Sequence, residues 1–245
     1  MKIRNVYIVG TSHIAKQSVE DVRREIKRIK PHIVAIELDK RRLAALLQNK
    51  KLKIRLRDIR RLGLKGFLFN LVGAWLERKL GKLVGTRPGA EMLEAVDCAK
   101  RCGASIALID RNIEETLTRL SEGVGWFEKV RFFADIFLGL VFRKFAFRQF
   151  DKKIDLSKVP SKTFVKKATA LVRRHYPNIY RILIMERDAY IAKRLFDLIM
   201  KFPGKRILAV IGAGHVDAVL RTLGRMLKRK KYIRRKRISR RKRNV

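Results

Sequence analysis

Apolar residues gather along the chain into four short runs that lack polar alternation: VYIVG at 6–10, IVAIEL at 33–38, ASIALID at 104–110 and RILAVIG at 206–212. Each is rich in small or branched apolar residues and gives way to glycine or polar residues, the pattern of strands covered on both faces. Helix-like stretches separate the runs, so the pattern predicts an α/β fold, a largely parallel central sheet with flanking helices. The first helix opens near Ser18, which with Asp21 resembles a capping pair; Val22, Ile26 and Ile29 follow at helical spacing and Pro31 stops the run. PGAEMLEAVDCAKRCGA, with Pro88 near its start, acids in its first turn and Gly103 at its end, predicts a helix leading into the third strand. A long helix is expected from about Ile179 to Lys201, apolar almost all the way round and therefore set between layers. Within it, Glu186 and Asp188 have apolar residues three and four positions away on both sides. Each needs a partner, a metal or a cleft, because an unpaired buried charge is too costly. Arg111 and Arg119 are the expected partners.

Two segments break the alternation, LGLKGFLFNLVGAWLERKLGKLVG at 62–85 and VGWFEKVRFFADIFLGLVFRKFAF at 124–147. They predict helical insertions at about 52–86 and 120–160 that cap the sheet within a single domain spanning 1–224. Phe and Trp opposite Lys and Arg also suit helices lying in a membrane interface or against a second copy of the chain, which would make a homodimer. The longest uncharged stretch, 66–76, has 11 residues, short of the roughly 20 that span a bilayer as a helix. With no secretory signal in MKIRNVYIVG, a cytoplasmic protein, peripheral to a membrane at most, is expected.

Charge sharpens this expectation. The chain has 61 Lys and Arg against 22 Asp and Glu, a formal net charge of +39, more than solubility requires, so an anionic membrane surface or nucleic acid is implied as a partner. From Arg225 to Val245, 13 of 21 residues are basic and none is acidic. This 225–245 stretch is expected to be a disordered basic tail. Cys98 and Cys102, four apart in a helical stretch, have poor disulfide geometry and no second pair for a zinc site.

The candidate chemistry lies where the runs end. The first leads into GTSH and the last into GAGH, so a Gly-x-x-His spacing occurs twice, delivering His13 and His215. A dinucleotide fingerprint would need a third glycine where Asp217 stands. The second run carries Glu37 and Asp39, and the third ends in Asp110 and Arg111. In a parallel sheet these ends share one edge, so His13, Glu37, Asp110, Arg111 and His215 should converge. Two imidazoles and a carboxylate form a familiar divalent-metal set. The glycines read as tight turns that swing each histidine back over the strand ends. His32 and His175 read as surface or capping residues, and Glu91 as an acid at a helix N-terminus.

Taken in order, GTSHIAKQSVEDV, KPHIVAIELDKRRLAAL, TRPGAEMLEAVDCAKRCGASIALIDRNIEETLTR, MERDAYIA and VIGAGHVDAV resemble the TraB family, named for pheromone shutdown in conjugative plasmid transfer. The resemblance covers most of residues 5–222 and implies the wider group of Tiki proteases, ChaN haem-binding lipoproteins and erythromycin esterase. Carried over, it implies metal ligation by His13, His215 and Glu37, places the family's DR motif on Asp110 and Arg111 and its ERD motif on Glu186, Arg187 and Asp188, and implies site roles for Glu37, Arg111, Glu91, Glu186 and Asp188. Tiki-like members imply a divalent metal (manganese, cobalt or zinc) and peptide hydrolysis; erythromycin esterase implies histidine-based hydrolysis without metal. Three functions follow as expectations: a metal-dependent hydrolase acting on a peptide or protein substrate, a non-catalytic protein that sequesters a peptide or anion, and an unspecific nucleic-acid binder working through the basic tail.

Overall fold

A computed structural model of the chain describes residues 1–12, 16–48, 89–141 and 162–243. The four apolar runs become strands β2 (Val6–Thr11), β3 (Ile33–Ile36), β4 (Ser105–Leu108) and β5 (Ile207–Gly212). A two-residue strand, β1 (Lys2–Ile3), pairs antiparallel with β2 and completes a five-stranded sheet in the order β1-β2-β5-β3-β4. All other pairings are parallel.

The missing alternation is explained by cover on both faces. On one face Ile33, Ala35, Ile207, Ala209 and Ile211 pack with Ile191 and Leu195, and with Val216, Val219 and Leu223. On the other, Val34, Ile36, Leu208 and Val210 pack with Val22 and Ile26, and with Met92, Val96 and Ala99. The helices supplying these residues are α1 (Lys16–Ile29), α3 (Ala90–Arg101), α8 (Glu186–Lys201) and α9 (Ala213–Arg243). A short α2 (Lys40–Leu47) follows β3, and α4 (Ile113–Gly123), α5 (Trp126–Val141), α6 (Lys162–His175) and α7 (Pro177–Tyr180) lie between β4 and α8. The fold is α/β.

The layering makes a crevice. The helix after β2 covers one face and the helix after β5 covers the other, although the two strands are neighbours. At such a switch point the carboxyl ends of the strands open outward, which is where open α/β sheets bind ligands.

Several local expectations are corrected. Ser18 is the third residue of α1 rather than its cap, and its Oγ accepts the Ser12 N–H at 2.8 Å. No turn follows β5: α9 starts at Ala213, so His215 rides on the first turn of a helix. Gly10 likewise serves packing rather than a turn, since a Cβ there would stand 3.0 Å from Val216 Cγ2 and 3.4 Å from Ala213 Cα. The long helix before β5 is interrupted by a π turn, Arg181–Met185, directly before Glu186. Where composition predicted an unfolded tail, α9 continues to Arg243. Beyond Gly224 this stretch has neither Gly nor Pro and is dominated by Arg, Lys, Leu and Met, all good helix formers.

The 62–85 segment and residues 142–147 of the second aromatic segment lie outside the described residues, as does His13. In α5, Trp126, Phe127 and Val130 are exposed. Among the described residues no helix is long and apolar enough to cross a membrane.

Candidate functional site

Backbone register brings the first groups together. β5 lies between β2 and β3, with Thr11 paired to Gly212 and Ile36 to Val210. The chain leaving β3 donates the Glu37 N–H to Val210 O at 3.2 Å, and the Glu37 side chain turns to the end of β5, where its Oε2 accepts the Gly212 N–H at 2.6 Å. Glu37 is 2% exposed. His215, one turn into α9, sets Nε2 3.6 Å from Glu37 Oε1, while its Nδ1 donates to Asp188 Oδ1 at 2.6 Å. That bond fixes the tautomer, leaving Nε2 unprotonated on the neutral ring.

Asp188 is delivered by the first turn of α8, and so is the cation that organises the cluster. Arg187 Nη2 donates to Glu37 Oε1 and to Asp110 Oδ2, each at 2.6 Å, and its Nε to Asp110 Oδ1 at 3.2 Å. Arg42 reaches Asp110 from the other side and donates through Nε to Asp39 Oδ2 at 2.6 Å. Asp39 itself caps α2, accepting the N–H groups of Arg41 and Arg42 at 2.8 and 3.0 Å. Burial pushes the Asp110 carboxyl up, but Arg187 and then Arg42 outweigh it and hold the group below the usual carboxylate range. Desolvation would lower the Arg187 guanidinium; the charges of Glu37 and Asp110 instead hold it above its ordinary value. The cluster is a chain of interlocked ion pairs in which Arg187 and Arg42 each serve two carboxylates.

A second branch involves Arg111. Its Nη1 donates to Glu186 Oε2 at 3.0 Å, its guanidinium lies 5.6 Å from the centre of the Tyr190 ring, and Arg119 Nη1 reaches the same Glu186 oxygen at 3.1 Å. Arg111 Nε is buried without a hydrogen-bond partner, the nearest carboxylate oxygen, on Glu115, standing 3.5 Å away.

Of the residues expected at the site, Glu37, Asp110, Asp188 and His215 are joined in one cluster, with Glu186 and Arg111 beside it. The cation against Glu37 is Arg187 rather than Arg111. Of the two carboxylates in the first turn of α8, Glu186 takes both expected arginines, and Asp188 takes His215. Glu91 is buried in the first turn of α3. From sequence, Arg187 stands out only as part of the family's ERD motif and Asp39 only as a strand-end charge, and Arg42 does not stand out. The π turn before Glu186 marks the same place, since such turns recur at functional sites.

Among the described residues no three His, Cys, Asp or Glu side chains form a ligand set; His13, the third ligand expected, is outside them. The chemistry of the two donors present fits a divalent cation. His215 offers Nε2 with the carboxylate of Asp188 behind it, the second-shell arrangement typical of metal-bound histidine. Glu37 Oε1 faces the same gap.

The sequence profile of the TraB/PrgY/gumN family matches residues 2–235. The chain is 36% identical over 226 residues to a Methanocaldococcus jannaschii protein described as uncharacterized protein MJ1365, covering 91% of this chain and 54% of that one. It is 24% identical over 238 residues to the TraB domain-containing proteins of Homo sapiens and Mus musculus, covering 87% of this chain and 61% of each of theirs. The chain thus spans little more than half the length of these relatives.

Proposed function

The chain belongs to the TraB/PrgY/gumN family, and from that premise we propose that the carboxyl-edge cluster is the centre of a metal-dependent hydrolase acting on a peptide or protein substrate. The observation that carries this reading is the approach of His215 Nε2 to Glu37 Oε1, 3.6 Å apart at the switch point of the sheet. His215 and Glu37 would hold the ion, with His13 as third ligand. When bound, such an ion supplies Lewis-acid polarisation of a carbonyl. The chain's own residues do the rest. Asp188 keeps the proton on Nδ1 and aims the ring. Arg187 Nη2 and the Gly212 N–H each donate to Glu37 and hold its carboxylate in place, as a ligand would need. Arg111, held by Glu186 beside the cluster, would grip a substrate carboxylate or carbonyl.

A second reading rests on Arg187, whose positive charge lies on the same Glu37 oxygen that faces His215. Metal-free hydrolysis would then use the Asp188–His215 pair as orienting group and general base. The exposed Trp126 and Phe127 and the +39 charge support attachment of the protein to an anionic membrane surface.

Incubation of the purified chain with a mixed peptide library, with and without manganese or cobalt, followed by mass spectrometry, tests both readings. Metal-dependent cleavage that disappears in His215→Ala is expected. Cleavage that persists in a chelator and still needs His215 selects the second reading, and cleavage by neither preparation contradicts a hydrolase.

A further inference from the structure

The opposite edge of the sheet holds a cavity of ≈1260 Å³ at the amino ends of β3 and β4, on the far side from His215. Its apolar lining is Ile33, Leu198 and Phe202 on one face of the sheet and Ile106 on the other, and six cationic side chains surround it: Arg23, Lys27, Lys30, Arg101, Lys205 and Arg206. No Asp or Glu lines it. Glu94, just outside, pairs with both Arg23 and Arg101 at 2.9 and 3.2 Å. Arg206 spends its guanidinium on the Lys30 carbonyl, at 2.7 and 3.0 Å, which ties down the left-handed turn at Lys30 (φ 47°) that joins α1 to β3. Among the described residues no carboxylate pairs with Lys27, Lys30 or Lys205.

Helix dipoles account for part of this charge. The chain passes the cavity at the C-terminal ends of α1, α3 and α8, and each offers about half a unit of negative charge. Three such ends fall well short of six cations compensated by one carboxylate. The surplus shows in His32, which also lines the cavity: desolvation, then the charges of Arg206 and Lys205, push its imidazole below the ordinary value. Apolar side chains beside unpaired cations are the complement of an amphipathic anion.

We propose that this cavity binds an organic phosphate, its phosphate held by Lys27, Lys30 and Lys205 and its apolar body laid against Ile33, Leu198 and Phe202. Nucleotides and phospholipids share that chemistry. The site is separate from the carboxyl-edge cluster, so it stands whether or not that cluster is hydrolytic. Because a chain of charge +39 attracts any anion, the test must separate this place from the general field. Calorimetric titration of the full chain at physiological salt would use inorganic phosphate, adenosine monophosphate and dihexanoyl phosphatidic acid. One of the two esters is expected to bind about tenfold or more tightly than inorganic phosphate, and which one identifies the source. The Lys27→Glu/Lys205→Glu variant should lose that binding, and Lys228→Glu/Arg229→Glu, with the same charge change on α9, should keep it. Lys27→Gln/Lys205→Gln replaces the first variant if charge reversal impairs folding. Esters no tighter than inorganic phosphate, or equal losses in both variants, would overturn the proposal.

Discussion

Arg187→Met would leave Glu37 and Asp110, both buried, without the guanidinium that bridges them. Removing one partner of a buried ion pair costs about 3–5 kcal/mol, so the urea midpoint should fall sharply, and Arg187→Lys should recover only part because an ammonium cannot reproduce the two-pronged contact with Asp110. An unchanged midpoint for Arg187→Met would show that these carboxylates are solvated. Asp110 gives a dependence on pH whose sign follows from its lowered folded-state value. A carboxylate held below its unfolded value of about 3.9 stabilises the fold above that pH and loses the contribution as pH falls through the folded value. Asp110→Asn should therefore melt well below the wild type near neutrality, with the gap narrowing below about pH 4; a constant gap would contradict the ion-pair account. Glu94, pulled down to about 2 first by its hydrogen bond from Arg23, has the same sign with a window from ordinary carboxylate values down to about 2. Site residues at strand ends, Glu37, Asp110 and His215, were legible because strand ends of a parallel sheet share an edge. The part Arg187 and Arg42 play was not, since nothing local shows that they bridge the buried carboxylates: Arg42 reaches Asp110 68 positions away and Arg187 reaches Glu37 150 positions away.

Elements were legible where burial leaves a continuous apolar run, which is why β2, β3, β4 and β5 could be read and the two-residue β1 could not. Neighbour order was hidden, because an apolar run does not say which strand lies beside it; the insertion of β5 between β2 and β3 is what sets His215 against Glu37. The π turn was hidden too, since IYRILIM has the spacing of an ordinary helix and the wider turn emerges only from packing. Gly10 shows how closely β2 and α9 approach. Gly10→Ala would press a methyl into Val216 and the backbone of Ala213, an overpacking cost of about 1–3 kcal/mol. It should lower the melting temperature and displace the His215 turn. A wild-type melt would mean that α9 can shift at no cost.

For the whole molecule, the basic surplus is the property most visible in composition and least confined to one place. If the proposed membrane attachment is right, the full chain should sediment with acidic vesicles at low salt, with binding falling steeply as salt rises, because each Lys or Arg near the surface contributes about 1 kcal/mol and is screened. A chain ending near Gly224 should bind more weakly, and binding that survives high salt would come from the aromatic segments. Absence of binding to acidic vesicles at low salt would contradict attachment. The central claim, that the crevice between β5 and its neighbours is a divalent-cation centre built on His215 and Glu37, is tested most directly by titrating the full chain with cobalt and following the visible absorption of the bound ion. Saturable uptake with a ligand-field spectrum is expected, abolished by His215→Ala and by Glu37→Gln while each variant keeps cooperative melting. No uptake by the wild type, or uptake indifferent to both substitutions, would contradict it.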